Sequence, residues 1–420
     1  MANVEHCFDK MTTNPASAKQ SDPVKDSDDS TKTLKECFNQ MNTCKSDYFP
    51  PKVAYIFSDS LLQWSNFGLK VRQRGKLVHG LIEAYGLTKH MRIVSPKKAT
   101  FDEMAEFHCR NYLQFLESIN KFDDEEKYSE EAEQFGLSYD CPTEKGVFNY
   151  VSHIAGSTIE AARCLVDKEN PCQIAINWFG GWHHAHRDSA SGFCYVNDCV
   201  LGILELRKTF TRVLYVDLDL HHGDGVEEAF AVTSKVFTVS FHKLLPGFFP
   251  GTGSIDDVGF GKGIHHCVNV PLMDGIKDVE FVALFKRIMS EVIDVFAPEA
   301  IVCQCGADGI AGDPMNSFNL TPQSLTSCVR YFTTLKVPLL LLGGGGYNFC
   351  NTSKTWTLIT AAVIGKKLSP NIPDHKYYIT YGPSYELTVD PGNRKDLNSY
   401  ENIRSIYKKV LENLSQLRAK

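Results

Sequence analysis

The chain has 420 residues, 43% of them hydrophobic and 22% charged, with a formal net charge of −6. That is a globular composition, and the mild acidity argues against a general nucleic-acid binder, which is expected to show a net basic face. The most apolar short run, VPLLLLGG (337–344), is too short to span a bilayer.

The first 48 residues differ in texture from the rest. The stretch KQSDPVKDSDDSTKT (19–33) is rich in charge, Ser and Thr and has almost nothing to bury, so residues 1–48 are expected to be a disordered extension. MANVEHCFDKMTTN lacks the apolar segment of a secretory signal. The 14 cysteines show no CxxC spacing and read as reduced thiols, so an intracellular soluble protein is expected.

From about Lys52 the pattern is that of one catalytic domain, residues 49–420. Strand-like runs are KVAYIFS (52–58), QIAINW (173–178), RVLYVDLDL (212–220), KVFTVSF (235–241), AIVCQCGAD (300–308) and PLLLLGGGGY (338–347). Helical spacing relates Leu77, Val78, Leu81, Ile82 and Tyr85. A longer helix begins near Asp278 and aligns Phe281, Val282, Phe285, Ile288, Met289, Val292, Ile293 and Phe296. Ile403, Ile406, Val410, Leu411 and Leu414 mark a last docking helix. Near-continuous apolar strands separated by helices predict an α/β fold, a parallel sheet covered on both faces.

Ligands bind outside the carboxyl ends of strands in such sheets. Here those ends are polar: GGWHHAHRD follows QIAINW, DLHHGDG follows RVLYV, GAD follows AIVCQC, and GGGGYN follows the last strand. Asp219 and His221, two apart on an extended strand, face one side. With Asp308 they make two carboxylates and an imidazole, a catalytic zinc pattern that would equally suit iron or manganese. His183 and His184 supply acid–base capacity, and Asp217 and Asp224 are natural partners for orienting them. Four glycines without a following Gly-Lys-Ser/Thr argue weakly for a nucleotide. They fit better a backbone that approaches a ligand closely, with Tyr347 as a phenol donor to a developing oxyanion. Phe193, Phe248 and Phe249 sit in Gly/Pro-rich loops, where facing rings would line a narrow apolar slot. Cys303 and Cys305 read as buried packing.

INWFGGWHHAHRDSASGFCYVND, YVDLDLHHGDGVEEAF, PGFFPGTG, GADGIAGDP and LLGGGGYN together resemble the class I zinc-dependent histone deacetylases, in order and spacing over nearly all of residues 50–418. The resemblance implies an arginase/deacetylase fold with an open eight-stranded parallel sheet, and hydrolysis of N6-acetyl-lysine in proteins to acetate and lysine. It implies zinc, or ferrous iron, on Asp219, His221 and Asp308. His184, oriented by Asp224, would be general base and acid. His183, backed by Asp217, would supply electrostatic stabilisation, and Tyr347 would polarise the acetyl carbonyl. Gly192, Phe193 and Phe249 would flank the lysine chain, with Met315 and Asp140 at the rim, and Arg74 would line an internal channel for acetate.

Structural potassium is implied at Asp217, Asp219, His221, Ser240 and Phe241, and again at Phe230, Thr233, Val236 and His266. The implied partners are acetylated histone tails and other acetyl-lysine proteins, cohesin among them, without nucleic acid, membrane or an obligatory corepressor complex. The implied compartments are nucleus and cytoplasm. Phe179, His186 and Gly309 depart from the family pattern. An acetylpolyamine substrate and a catalytically dead scaffold are the competing readings, the second disfavoured because every ligand and Tyr347 are present.

Overall fold

Runs of β-branched and aromatic residues alternate with amphipathic stretches, and the two patterns build a single open sheet between layers of helix. The computed structural model describes residues 51–67, 69–121 and 129–418, so the extension expected over 1–48 lies outside the described residues. Pro50–Lys420 form one compact unit. Its strands are β1 (Val53–Ile56), β2 (Arg92–Val94), β3 (Ile174–Asn177), β4 (Val213–Asp217), β5 (Val236–Lys243), β6 (Cys267–Leu272), β7 (Ala300–Gln304) and β8 (Leu339–Leu342). The order is β2-β1-β3-β8-β7-β4-β5-β6, and every pairing is parallel. This is the eight-stranded α/β sheet of the arginase/deacetylase type.

Direct pattern reading finds six of these strands. The two it misses are the edges. β2 has three residues with Ile93 exposed, and β6 carries Asn269 and Pro271, which interrupt the apolar run. A proline that cannot donate to a ladder is tolerated there because no further strand follows.

Eight helices matter for the site: α1 (Arg74–Ala84), α2 (Val147–Val166), α3 (Asp198–Arg207), α4 (Asp224–Phe230), α5 (Asp278–Phe296), α6 (Pro322–Thr333), α7 (Phe349–Val363) and α8 (Tyr400–Arg418). Right-handed crossovers assign them to faces. Crossovers running from β2 toward β6 put α2, α3 and α4 on one face, and those running back put α1, α5 and α6 on the other, where α7 and α8 join them. Side-chain alternation along each strand feeds the two cores: Val53, Tyr55, Leu214 and Val216 face one, and Ala54, Ile56, Val213 and Tyr215 the other. Each fully buried large apolar side chain stabilises the fold by about 1.5–3 kcal/mol. The expected helices at Asp278 and at the C-terminus are α5 and α8; Ile406, Val410 and Leu414 are buried. Among the described residues no helix is long and apolar enough to cross a membrane.

One expectation needs correction. RVLYVDLDL is not strand to its end, because β4 stops at Asp217. The Asp217 carboxylate accepts the Asp219 N–H at 3.1 Å, and Asp219 in turn accepts the His221 N–H at 3.0 Å. These side-chain bonds capture donors that a continuing ladder would use. Asp219 and His221 therefore meet through a turn and not through strand alternation.

Candidate active site

The loops after β3, β4, β5, β7 and β8 gather at the carboxyl edge of the sheet. Asp219, His221 and Asp308 are all buried, and one ligand atom from each lies within 4.8 Å of the others. His221 Nδ1 is 2.9 Å from Asp308 Oδ2 and 3.3 Å from Asp219 Oδ1. Burial works against a charged imidazole, yet the bonds to Asp219 and Asp308 outweigh it and raise His221 to about 10. Burial raises the Asp308 carboxyl, and the charge of Asp219 raises it further. The cluster is short of positive charge, and a proton on His221 supplies it. A divalent cation would do so better, and two carboxylates with one imidazole are a donor set that fits zinc or ferrous iron.

The histidine pair stands beside this cluster. Asp198, wholly buried at the start of α3, accepts the backbone N–H of Gly181 at 3.0 Å and of Trp182 at 2.8 Å. Asn197, the cap of α3, donates to the carbonyls of His183 and Ala185. This turn presents His183 to Asp217 and His184 to Asp224, each through Nδ1 at 2.7 Å. Asp217 also accepts the Tyr215 hydroxyl at 2.6 Å. The two imidazoles diverge in basicity. Burial opposes charge on His183, but Asp217 and Asp219 raise it to about 9. Burial, reinforced by His183, lowers His184 to about 4 against the pull of Asp224. At neutral pH one is a cation and the other a free base.

Glycines bring backbone up to the ligands. A Cβ on Gly345 would lie 2.3 Å from Asp308 Oδ2, and one on Gly306 would lie 2.0 Å from Asp219 Oδ2. The Gly345 N–H donates to Asp219 at 2.8 Å. These glycines serve the two carboxylates, which disposes of the phosphate-loop reading. Tyr347 follows on the same turn. Burial keeps its phenol protonated, raising it well above the ordinary value, and Asp308 and Asp219 add to this.

The two rings expected to line a slot each stand against a residue of the site. The Phe193 ring stands edge-on to Tyr347 at 6.0 Å, and Phe249 stands edge-on to His184 at 4.9 Å. Gly192 lies between them, since a Cβ there would meet His184 and Phe249 at under 3 Å. Phe248 is not a slot wall: it stacks on His221 at 5.1 Å, with the Lys243 ammonium 4.3 Å from its ring. Asp140 is exposed and Met315 half-buried. Arg74 is buried, its guanidinium 5.0 Å from the Trp356 ring and donating to the Gly346 carbonyl at 3.1 Å.

Other predicted positions lie at both ends of the sheet: Ser240 near the carboxyl edge, Phe230, Thr233, Val236 and His266 at the amino ends of β5 and β6. Ser240 sits opposite Asp217 in the ladder with Phe241 next to it, and the Ser240 hydroxyl is 2.9 Å from His242 Nδ1. Phe230, Thr233 and Val236 follow one another where α4 leads into β5, and the His266 carbonyl accepts the Thr238 N–H nearby. Cys303 and Cys305 are buried, their sulfurs 3.7 Å apart. Phe179 is buried against Gly75, where a Cβ would approach its ring to 2.8 Å. His186 is 2.5 Å from Glu228 and 3.8 Å from Asp224. A Cβ on Gly309 would meet Phe318 at 3.2 Å, so a side chain there needs only a small shift.

Sequence reading misses Gln304. It ends the apolar strand β7 directly opposite Asp217, donates to Asp219 Oδ2 at 2.8 Å and to the Gly181 carbonyl at 3.2 Å, and accepts the Gly306 N–H at 2.7 Å. A lone amide at the end of AIVCQ was the available signal. Asp198 and Asn197 were missed in the same way.

Residues 69–363 match the histone deacetylase domain model. The chain belongs to the histone deacetylase family. It is 50% identical over 365 residues to histone deacetylase 8 of Danio rerio, covering 87% of this chain and 96% of that protein. It is 51% identical over 364 residues to histone deacetylase 8 of Xenopus tropicalis, covering 86% and 98%. To human histone deacetylase 1 the identity is 43% over 344 residues, covering 82% and 70%. The chain is thus a class I histone deacetylase, most similar to the histone deacetylase 8 type, and a lysine deacetylase that hydrolyses amides. The deacetylase family as a whole is zinc-dependent, and in this member the buried Asp219, His221 and Asp308 are the residues that could hold a metal.

Proposed function

We propose that this deacetylase removes acetyl groups from Nε-lysine in protein substrates, using the Asp219–His221–Asp308 cluster beside His184 and Tyr347. The observation that carries the reading is the juxtaposition of that buried cluster with two carboxylate-backed imidazoles. Zinc, or ferrous iron, held by Asp219, His221 and Asp308 would polarise the acetyl carbonyl and lower the pKa of water beside it.

The chain's own residues do the rest. His184 gives its Nδ1–H to Asp224 and so presents a neutral Nε2, which takes a proton from the attacking water and delivers it to the departing lysine nitrogen. His183, cationic and braced by Asp217, offsets negative charge as it builds. The Tyr347 phenol donates to the carbonyl oxygen as it becomes an oxyanion. Phe193 and Phe249 hold the methylene chain, and the exposed Asp140 at the rim suits the N–H groups of a peptide.

The wider reading takes acetylated histone tails and other acetyl-lysine proteins, cohesin included, as substrates in nucleus and cytoplasm, without an obligatory corepressor complex. Potassium would sit at the two groups of residues named above. The test is release of acetate from an acetyl-lysine peptide before and after chelation, with zinc or ferrous iron restored and Asp308→Asn as control. Activity lost on chelation, recovered with metal and absent in the variant is expected. A folded, metal-loaded protein inert on the peptide but active on acetylpolyamines would overturn the substrate assignment.

A further inference from the structure

The motif GADGIAGDP contains a second aspartate that the mechanism above does not use. Asp313 is 4% exposed, and among the described residues no lysine, arginine or histidine pairs with it. Its carboxylate is instead filled by backbone donors. Oδ1 accepts the Met315 N–H at 2.9 Å, while Oδ2 accepts the Tyr347 N–H at 2.7 Å and the Asn348 N–H at 3.0 Å. A buried carboxylate satisfied by peptide groups is costly to desolvate, and each charge-assisted bond it makes is correspondingly strong.

The placement gives those bonds a purpose. Asp313 lies on the loop after β7 that carries Asp308 and Met315, while Tyr347 lies on the loop after β8. Further bonds tie the first loop to the second and to the start of α7: Ala307 N–H to the Gly345 carbonyl at 2.9 Å, Asn348 Nδ2 to the Gly312 carbonyl at 2.9 Å, and Asn351 Nδ2 to the Ala311 carbonyl at 2.8 Å. Beside Tyr347, Gly344 and Gly346 have φ of 138° and 130° and no side chain of their own, so the turn is held through its backbone groups. Among the described residues Asp313 is the one ionisable group that grips the tyrosine's own peptide N–H.

We propose that Asp313 is a positioning residue for the deacetylation step: it fixes the backbone of Tyr347, so that the phenol meets the developing oxyanion without reorganisation, and it ties that backbone to the rim at Met315. This rests on the oxyanion role proposed for Tyr347. It adds a part that neither metal binding nor the histidine pair requires.

The experiment is a double-mutant cycle on the zinc-loaded full chain with an acetyl-lysine peptide: wild type, Asp313→Asn, Tyr347→Phe and the double variant, each with kcat, KM and zinc affinity measured. Weakening bonds to a charged acceptor by about 1.5–3 kcal/mol corresponds to roughly 10–100-fold. Asp313→Asn is expected to lower kcat by about that factor, to leave KM within about threefold, and to leave zinc affinity intact. In the Tyr347→Phe background it should add no loss beyond about twofold. Unchanged kcat in Asp313→Asn, or an equal further loss without the phenol, would overturn the proposal, as would loss of zinc. Wild-type kcat in Tyr347→Phe would overturn the tyrosine's role itself, which that single variant reads separately. Should Asp313→Asn fail to fold, Asp313→Glu, which keeps the charge but displaces it by a methylene, enters the same cycle with the same criteria.

Discussion

The side-chain amide of Gln304 donates to Oδ2 of Asp219 over 2.8 Å, reaching from the end of one apolar strand to the first residues beyond its neighbour. The same oxygen accepts the Gly345 N–H. Asp219 is thereby aimed from two sides, and its other oxygen stays near His221. Replacing Gln304 by Leu keeps the bulk and removes the donor. Metal affinity should fall about 10–100-fold, as is usual when a group orienting a ligand is lost. A titration in metal buffer checks it; unchanged affinity would remove Gln304 from the site.

Tyr347→Phe should retain metal and fold while kcat falls roughly 10²–10³-fold, the cost of one oxyanion donor. The discriminating measurement is kcat alongside metal content, because a variant that lost metal would say nothing about the phenol.

Asp224→Asn tests the base through pH. His184 acts when neutral, so turnover rises with pH through its pKa, which burial lowers to about 4 and Asp224 holds up. Removing the charge of Asp224 lowers that pKa further, so the acidic limb of the kcat profile should move to lower pH. Its plateau should drop by roughly 10²–10⁴-fold, the range of general acid–base catalysis. A limb moving to higher pH would contradict the assignment.

Metal and proton compete for the same cluster. Without metal, His221 is raised to about 10 and Asp308 is raised as well, so binding a cation below those values must expel protons. Affinity should weaken steadily as pH falls from 10, and calorimetry in buffers of different ionisation enthalpy should register proton release. No release at pH 7 would mean that His221 does not ligate.

Gly345→Ala pushes a methyl to 2.3 Å from Asp308 Oδ2. Either the carboxylate or the turn must move, at a cost of about 1–3 kcal/mol by analogy with overpacked interiors. Weaker metal binding with a lowered Tm is expected. A variant with wild-type affinity would show that the turn can give way without disturbing the ligands.

Much of this was legible in the linear chain, because hydrophobic periodicity and polar punctuation are local properties. The six central apolar runs, the α5 and α8 stripes, and the polar residues that follow the strands needed no coordinates, and those polar residues already named Asp219, His221, Asp308, His183, His184 and Tyr347. What only the tertiary structure decided is non-local. His221 and Asp308, 87 residues apart, meet because β4 lies beside β7, a neighbour relation that sequence adjacency does not give. The edge strands β2 and β6 were hidden because a strand with one neighbour needs less apolar character. The β4 strand ends early because the Asp217 carboxylate captures the Asp219 N–H, a competition between side chain and ladder that composition does not reveal. Gln304, Asp198 and Asp313 look like ordinary polar residues in isolation. Folding removes water from around them and leaves each with only the partners brought to it, and that exchange turns them into parts of the site.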